Sequence, residues 1–224
     1  MKINYCLPIL KNSTEEVVKT IQDNLKTYEY FEVWLDYIEG IDNIFVNIIV
    51  NMLDDKLILL FQRGETKKEG LTTEKKQEIL KLLDNKSCYI DLDISEKEEL
   101  AYVKEKNLKL KTIISYHNYQ ETPADLPEII KEMGTYHPAI YKIATKCTSQ
   151  TDALKLLLIQ QNFSDQNKSH IVLGMGKFGT ITRVYGTLWG NEVIYAPLKK
   201  EEASAPGQLT KNELETIFSV LNTK

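Results

Sequence analysis

With 224 residues, 42% hydrophobic content and six prolines, the chain can bury a full core and is short enough for one domain, expected to span 1–224. Its 28 basic and 32 acidic residues leave a net charge of −4, which gives no general attraction for nucleic acid or for an anionic membrane surface. No segment approaches 18 consecutive apolar residues and no cleavage pattern follows the mostly apolar run 4–10, so neither a membrane span nor secretion is expected, and three cysteines without metal-type spacing (Cys6, Cys88, Cys147) point to a reducing cytoplasm.

Short apolar runs alternate with longer amphipathic ones. In chain order the pattern predicts a strand over 3–9, a helix over 14–25, strands over 30–37 and 57–63, and a helix over 73–83. A strand over 89–94 and a helix over 95–106 follow, then a strand over 110–117 and a helix over 124–133. The last part alternates a strand over 140–146, a helix over 149–161, strands over 170–175 and 192–198, and a closing helix over 211–221. Ser13 with Glu16, Thr72 before Glu74 and Ser95 before a Glu-rich turn give capping signals for three of the helices. Eight strands alternating with helical stretches fit a (β/α)8 TIM barrel, an α/β fold whose functional side chains gather at the C-terminal ends of the strands; an open doubly wound sheet shares the alternation. The glycine-rich stretch 174–179 lacks the spacing of a nucleotide fingerprint and is discounted as a cofactor box.

Within the strand over 140–146, Lys142 interrupts an otherwise apolar run. An isolated charge in low dielectric is costly, so such a lysine is paired, neutralised or used for chemistry, unless it snorkels from a strand end. A neutral amine would form an imine with a ketone. Arginine is rare here: only Arg63 and Arg183 carry the planar fork suited to a carboxylate, and both fall near strand ends. Reading each strand to its C-terminal end collects Glu32, Asp36, Arg63, Asp93, His117, Lys142 and Lys146, followed by Arg183 and the loop 203–208. Lys142 beside His117 on adjacent strands suggests carbonyl chemistry with a proton shuttle.

The segments Ser115-Tyr116-His117-Asn118-Tyr119, Tyr141-Lys142-Ile143-Ala144, Asp91-Leu92-Asp93, Ile181-Thr182-Arg183 and Ala203-Ser204-Ala205-Pro206-Gly207-Gln208 together resemble the motifs of the type I 3-dehydroquinate dehydratases, in order and spacing. The resemblance covers essentially the whole chain. It implies a (β/α)8 lyase of the shikimate pathway that removes water from 3-dehydroquinate to give 3-dehydroshikimate, with no metal or organic cofactor. It also implies Lys142 as the Schiff-base lysine, His117 as the proton-transfer residue, and Glu69 as the carboxylate that orients the histidine. Glu32, Arg63, Arg183, Ser204 and Gln208 are implied as substrate-binding residues, and the assembly as a homodimer.

Two departures stand out. The family pattern Glu-x-Arg-x-Asp becomes Glu32-Val33-Trp34-Leu35-Asp36, so a tryptophan replaces the expected arginine and Glu32 is expected to lose a cationic partner. The segment between Arg63 and Glu69 is about two residues longer than the pattern, which makes Glu65 a rival to Glu69. A catalytically degenerate barrel serving as a binding or regulatory subunit, and a Schiff-base aldolase for another keto acid, are the competing functions.

Overall fold

The computed structural model describes residues 2–61 and 70–221. Within them the elements run β1 (Tyr5–Ile9), α1 (Thr14–Asn24), β2 (Tyr30–Trp34), α2 (Asn43–Leu53), β3 (Leu57–Leu60), α3 (Thr73–Leu82), β4 (Tyr89–Asp93) and α4 (Lys97–Glu105). They continue as β5 (Lys111–Asn118), α5 (Leu126–Gly134), β6 (Ile140–Lys146), α6 (Gln150–Asp165), β7 (His170–Met175), α7 (Thr180–Leu188), β8 (Ile194–Tyr195) and α8 (Lys211–Leu221). All recorded strand pairs are parallel, in the order β7-β6-β5-β4-β3-β2-β1-β8. This is the expected (β/α)8 barrel.

The two ends of that order meet through one asparagine side chain and one backbone bond. Asn191 takes the Val172 N–H on its Oδ1 at 2.8 Å and donates Nδ2 to the Val172 carbonyl at 3.0 Å. The Glu192 N–H reaches the His170 carbonyl at 2.9 Å. An added Cβ at Gly186 would stand 2.6 Å from Asn191 Nδ2, so glycine there leaves room for the amide.

Alternate strand positions face opposite sides, and two cores result. One lies between sheet and helices and holds fully buried side chains such as Phe31, Leu57, Leu59 and Ile79. Removing each such side chain from water contributes about 1.5–3 kcal/mol. The other fills the barrel interior with Cys6, Ile58, Ile113, Ile140, Ile171 and Val193. Polar chemistry begins one layer above this apolar plug, where Lys142 follows Ile140 on the same face.

Helix starts follow the capping signals in part. Ser13 accepts the Glu16 N–H and Thr72 the Lys75 N–H, both at 3.3 Å. The helix expected from Ser95 starts at Lys97 instead, because Ser95 gives its N–H and hydroxyl to Asp93. The strand expected over 30–37 stops at Trp34 and continues as a 3-10 turn, Leu35–Tyr37. The strand expected over 192–198 shrinks to Ile194–Tyr195. Helices α2 and α7 were not expected from periodicity. The three cysteines are buried and unpaired. Among the described residues no helix is long and apolar enough to cross a membrane.

Candidate active site

A cavity opens at the C-terminal ends of the strands. Glu32 and Trp34 line it from β2, His117 from β5, Lys142 and Ala144 from β6, Leu173 and Met175 from β7, and Tyr195 from β8. Tyr119, Arg183, Ser204, Ala205 and Gln208 complete the rim.

Lys142 is 5% exposed. Its Nζ donates to Asp91 Oδ2 at 2.7 Å and to Glu32 Oε1 at 3.0 Å, and it lies 4.6 Å from the centre of the Tyr195 ring. The register explains the convergence: Ser115 stands beside Lys142 across β5 and β6, and Asp93 beside Ser115 across β4 and β5, which brings Asp91 and Lys142 onto the inner face. Of the options open to a buried lysine, the fold adopts pairing. Among the described residues two carboxylates and an aromatic face surround the Lys142 nitrogen, and the carboxylates are the groups placed to receive its proton. The neighbouring Cys6 thiol is pushed well above its ordinary pKa by burial and is neutral.

His117 Nδ1 sits 2.9 Å from Asp93 Oδ2. The other oxygen of Asp93 is occupied by the Ser95 N–H at 3.0 Å and the Ser95 hydroxyl at 2.7 Å, while the Asp93 N–H goes to Glu96 Oε2 at 2.7 Å. That local turn, the reason α4 starts late, locks the carboxylate. An imidazole whose Nδ1–H faces a fixed carboxylate exchanges protons through Nε2. Tyr119 stacks on the ring, with centroids 6.1 Å apart and planes at 21°.

Arg183 lies in the first turns of α7 and is 3% exposed. Burial lowers its pKa to about 10, so it stays charged at neutral pH. Its Nη2 donates to the Pro206 carbonyl at 3.3 Å, and its Nε is buried without a partner among the described residues. The glycine-rich stretch explains how α7 comes so close. A Cβ on Gly174 would meet Cys147 Sγ at 2.6 Å and Gly179 Cα at 2.7 Å, so backbone packs on backbone where β7 turns into α7. The loop after β8 covers the cavity. Ser204 and Gln208 bond each other twice at 2.9 Å, Gly207 adopts φ +84°, and Lys11 ties the loop start to β1 through Glu202 at 2.9 Å.

Six of the expected site residues therefore share one cavity: Glu32, His117, Lys142, Arg183, Ser204 and Gln208. Arg63, Glu69 and the rival Glu65 lie outside the described residues. Asp36 and Lys146, also collected at strand ends, do not line the cavity: Asp36 sits on the 3-10 turn and accepts the Leu71 N–H at 2.7 Å, and Lys146 is exposed. Glu32 is not left without a partner by the loss of the expected arginine, because Trp34 Nε1 donates to its Oε2 at 3.1 Å. Sequence reasoning gave no role to Asp91, Tyr195 or the Asp93–His117 pair. The alternation of Asp91 and Asp93 on one strand face was the available signal for the two carboxylates. Among the described residues no group of three or more His, Cys, Asp or Glu is arranged to hold a metal ion.

The family model for type I 3-dehydroquinase matches residues 5–224. The chain is 30% identical to a 3-dehydroquinate dehydratase of Coxiella burnetii over 95% of this chain and 91% of that protein. It is 28% identical to one from Methanococcus vannielii over 96% and 99% of the two chains. Among solved structures, 3-dehydroquinate dehydratase from Geobacillus kaustophilus matches with a TM-score of 0.78 at 21% identity, over 99% of this chain and 91% of that one. The Aquifex aeolicus 3-dehydroquinate dehydratase matches at 0.72 and 24%, over 98% and 99%. At these identities the solved structures speak for the fold.

Proposed function

From the premise that the chain belongs to the type I 3-dehydroquinase family, we propose that it dehydrates 3-dehydroquinate to 3-dehydroshikimate through an imine on Lys142, as a shikimate-pathway enzyme. The observation that carries the reading is a buried lysine, bracketed by two carboxylates, in the wall of a cavity that also presents a carboxylate-held histidine and a buried arginine.

In this mechanism Lys142 passes its ammonium proton to Glu32 or Asp91 and attacks the C3 ketone; loss of water gives an iminium. His117 takes a proton from C2, and the electron pair moves into the iminium as an enamine. The enamine expels the C1 hydroxyl, which leaves as water with a proton from His117. Water then hydrolyses the remaining iminium and frees Lys142. Asp93 fixes the imidazole for both transfers. Arg183 takes the substrate carboxylate, with Ser204 and Gln208 exchanging their mutual bonds for bonds to it and to nearby hydroxyls. Glu32 binds a substrate hydroxyl as well as the lysine.

The test is incubation of the purified chain with 3-dehydroquinate, following the absorbance of the conjugated enone product. Steady formation of 3-dehydroshikimate supports the reading. A folded chain that is inert favours the degenerate barrel, and cleavage of a carbon–carbon bond in a keto acid favours the aldolase. Within the dehydratase reading, Arg183→Lys is expected to raise KM by roughly ten- to hundredfold with a smaller change in kcat, the scale of one lost charge-assisted hydrogen bond. Initial-rate kinetics decide this, and an unchanged KM counts against the carboxylate role.

We further propose one catalytic domain over 1–224, a cytoplasmic location supported by the three unpaired buried thiols, and a homodimer. The dimer reading is supported by exposed apolar side chains on adjacent helices, Leu154 and Leu158 one turn apart on α6, Ile181 on α7 and Trp189 just past its C-terminal end. A sedimentation mass of two chains is the expected result; a monomer at micromolar concentration overturns it.

A further inference from the structure

Trp34 ends β2 two residues beyond Glu32, so strand alternation sets both on the face that looks into the cavity. The indole Nε1–H donates to Glu32 Oε2 at 3.1 Å, while Glu32 Oε1 receives Lys142 Nζ at 3.0 Å. One carboxylate thus bridges a neutral donor and a cation. The indole is itself held edge-on against Tyr37, with ring centroids 5.7 Å apart and planes at 90°.

We propose that Trp34 is a positioning residue for imine formation: it aims the Glu32 carboxylate at Lys142 through an uncharged hydrogen bond, and so sets the pH at which the lysine becomes a free amine. The proposal rests on the reading of Lys142 as the imine-forming group. Its physical content lies in the charge of the neighbourhood. Lys142 faces Glu32 from β2, Asp91 from β4 and the Tyr195 ring from β8, with the neutral Cys6 thiol behind it on β1. His117 and Arg183 share the cavity wall. Among the described residues its carboxylate partners are Glu32 and Asp91, whose ionised forms favour the ammonium. A guanidinium at position 34 would compete with Lys142 for Glu32 and add a like charge close to the ammonium, so both effects would release the proton at lower pH. A benzene ring at the same position would keep the packing on Tyr37 but remove the donor. Glu32 Oε2 would then lose its hydrogen bond, and the carboxylate would hold the ammonium more strongly.

The two substitutions therefore move one observable in opposite directions, which a space-filling role for Trp34 would not do. Lys142 is titrated without substrate, by measuring its rate of reductive methylation with formaldehyde and cyanoborohydride against pH, resolved by peptide mass mapping. Relative to the wild-type chain, Trp34→Arg is expected to lower the midpoint by about one pH unit or more, the effect of a like charge within a few ångströms. Trp34→Phe is expected to raise it. Where only one variant keeps the wild-type circular dichroism and thermal transition, the direction of that variant decides. Coincident midpoints, or a shift opposite to the one stated, overturn the proposal. Trapping with 3-dehydroquinate and borohydride is run in parallel. A chain that is methylated at Lys142 with a clear midpoint yet forms no dehydroquinate adduct overturns the imine chemistry, while the midpoints still decide the role of Trp34.

Discussion

Lys142→Ala abolishes turnover of 3-dehydroquinate: kcat is expected to fall by roughly five orders of magnitude or more, the scale of a positioned nucleophile's effective molarity. No other lysine among the described residues lines the cavity. The variant also takes the Lys142 cation away from Glu32 and Asp91, which are 2% and 0% exposed. Stranding one side of a buried ion pair destabilises by about 3–5 kcal/mol, and the thermal midpoint should drop accordingly. Circular dichroism below that midpoint establishes that the fold persists. Intact mass after incubation with dehydroquinate and borohydride then completes the test: the wild-type chain gains a reduced adduct that maps to Lys142, and the variant gains none. An adduct at another residue, or turnover within tenfold of wild type, removes Lys142 from the mechanism.

His117→Ala separates two steps that the lysine variant cannot distinguish. The amine and its two carboxylates remain, so the borohydride-trapped adduct should still form, slowly. The C2 proton and the C1 hydroxyl have lost their shuttle, and kcat is expected to fall by roughly a further 10²- to 10⁴-fold below the rate of adduct formation, the range of general acid–base catalysis. Adduct accumulating without product is the signature. Product formed at the wild-type rate would show that another group moves the protons. The pairing with Asp93 gives this test a useful companion, because Asp93→Asn leaves the imidazole in place but offers Nδ1 either an amide N–H or its oxygen. The carboxylate that fixes the tautomer is gone, and the loss should fall on kcat rather than on KM.

The strands were legible because each is a short apolar run bounded by polar residues, and β6 and β7 match their expected bounds fully. Two helices were not. The α2 run Asn43–Leu53 is rich in isoleucine and valine, which carry no helical preference, and only its Asp42 cap, accepting the Phe45 N–H at 2.8 Å, marks the start. The α7 run Thr180–Leu188 holds three threonines and a glycine, poor helix formers whose helicity comes from packing on β7 across Gly174 and Gly179. Lys142, His117 and Arg183 could be found from residue type and spacing. The partners that hold them could not, because they come from other strands: Asp91 is 51 residues from Lys142, and Glu32 is 110. Asp36 was grouped with the cavity residues on the assumption that β2 ran on; a 3-10 turn at Leu35–Tyr37 breaks the alternation and carries it elsewhere. The sequence pattern implies that Trp34 costs Glu32 its cationic partner, whereas the indole N–H and Lys142 both bond that carboxylate.

The amide of Asn191 does more than close a circle of strands. Where β7 would otherwise pair with β8, its open side offers the Val172 N–H and carbonyl to Asn191 and the Gly174 N–H to the Thr182 hydroxyl at 2.6 Å. These groups belong to the run His170–Met175, which is buried throughout. An unsatisfied strand edge of that composition is a template for another chain, and natural sheets blunt such edges with charge, proline or cover. This barrel instead finishes its last ladder with two side chains and the one backbone bond from Glu192 to His170. Satisfaction of the buried β7 backbone thus falls in part to an asparagine and a threonine that do not line the cavity.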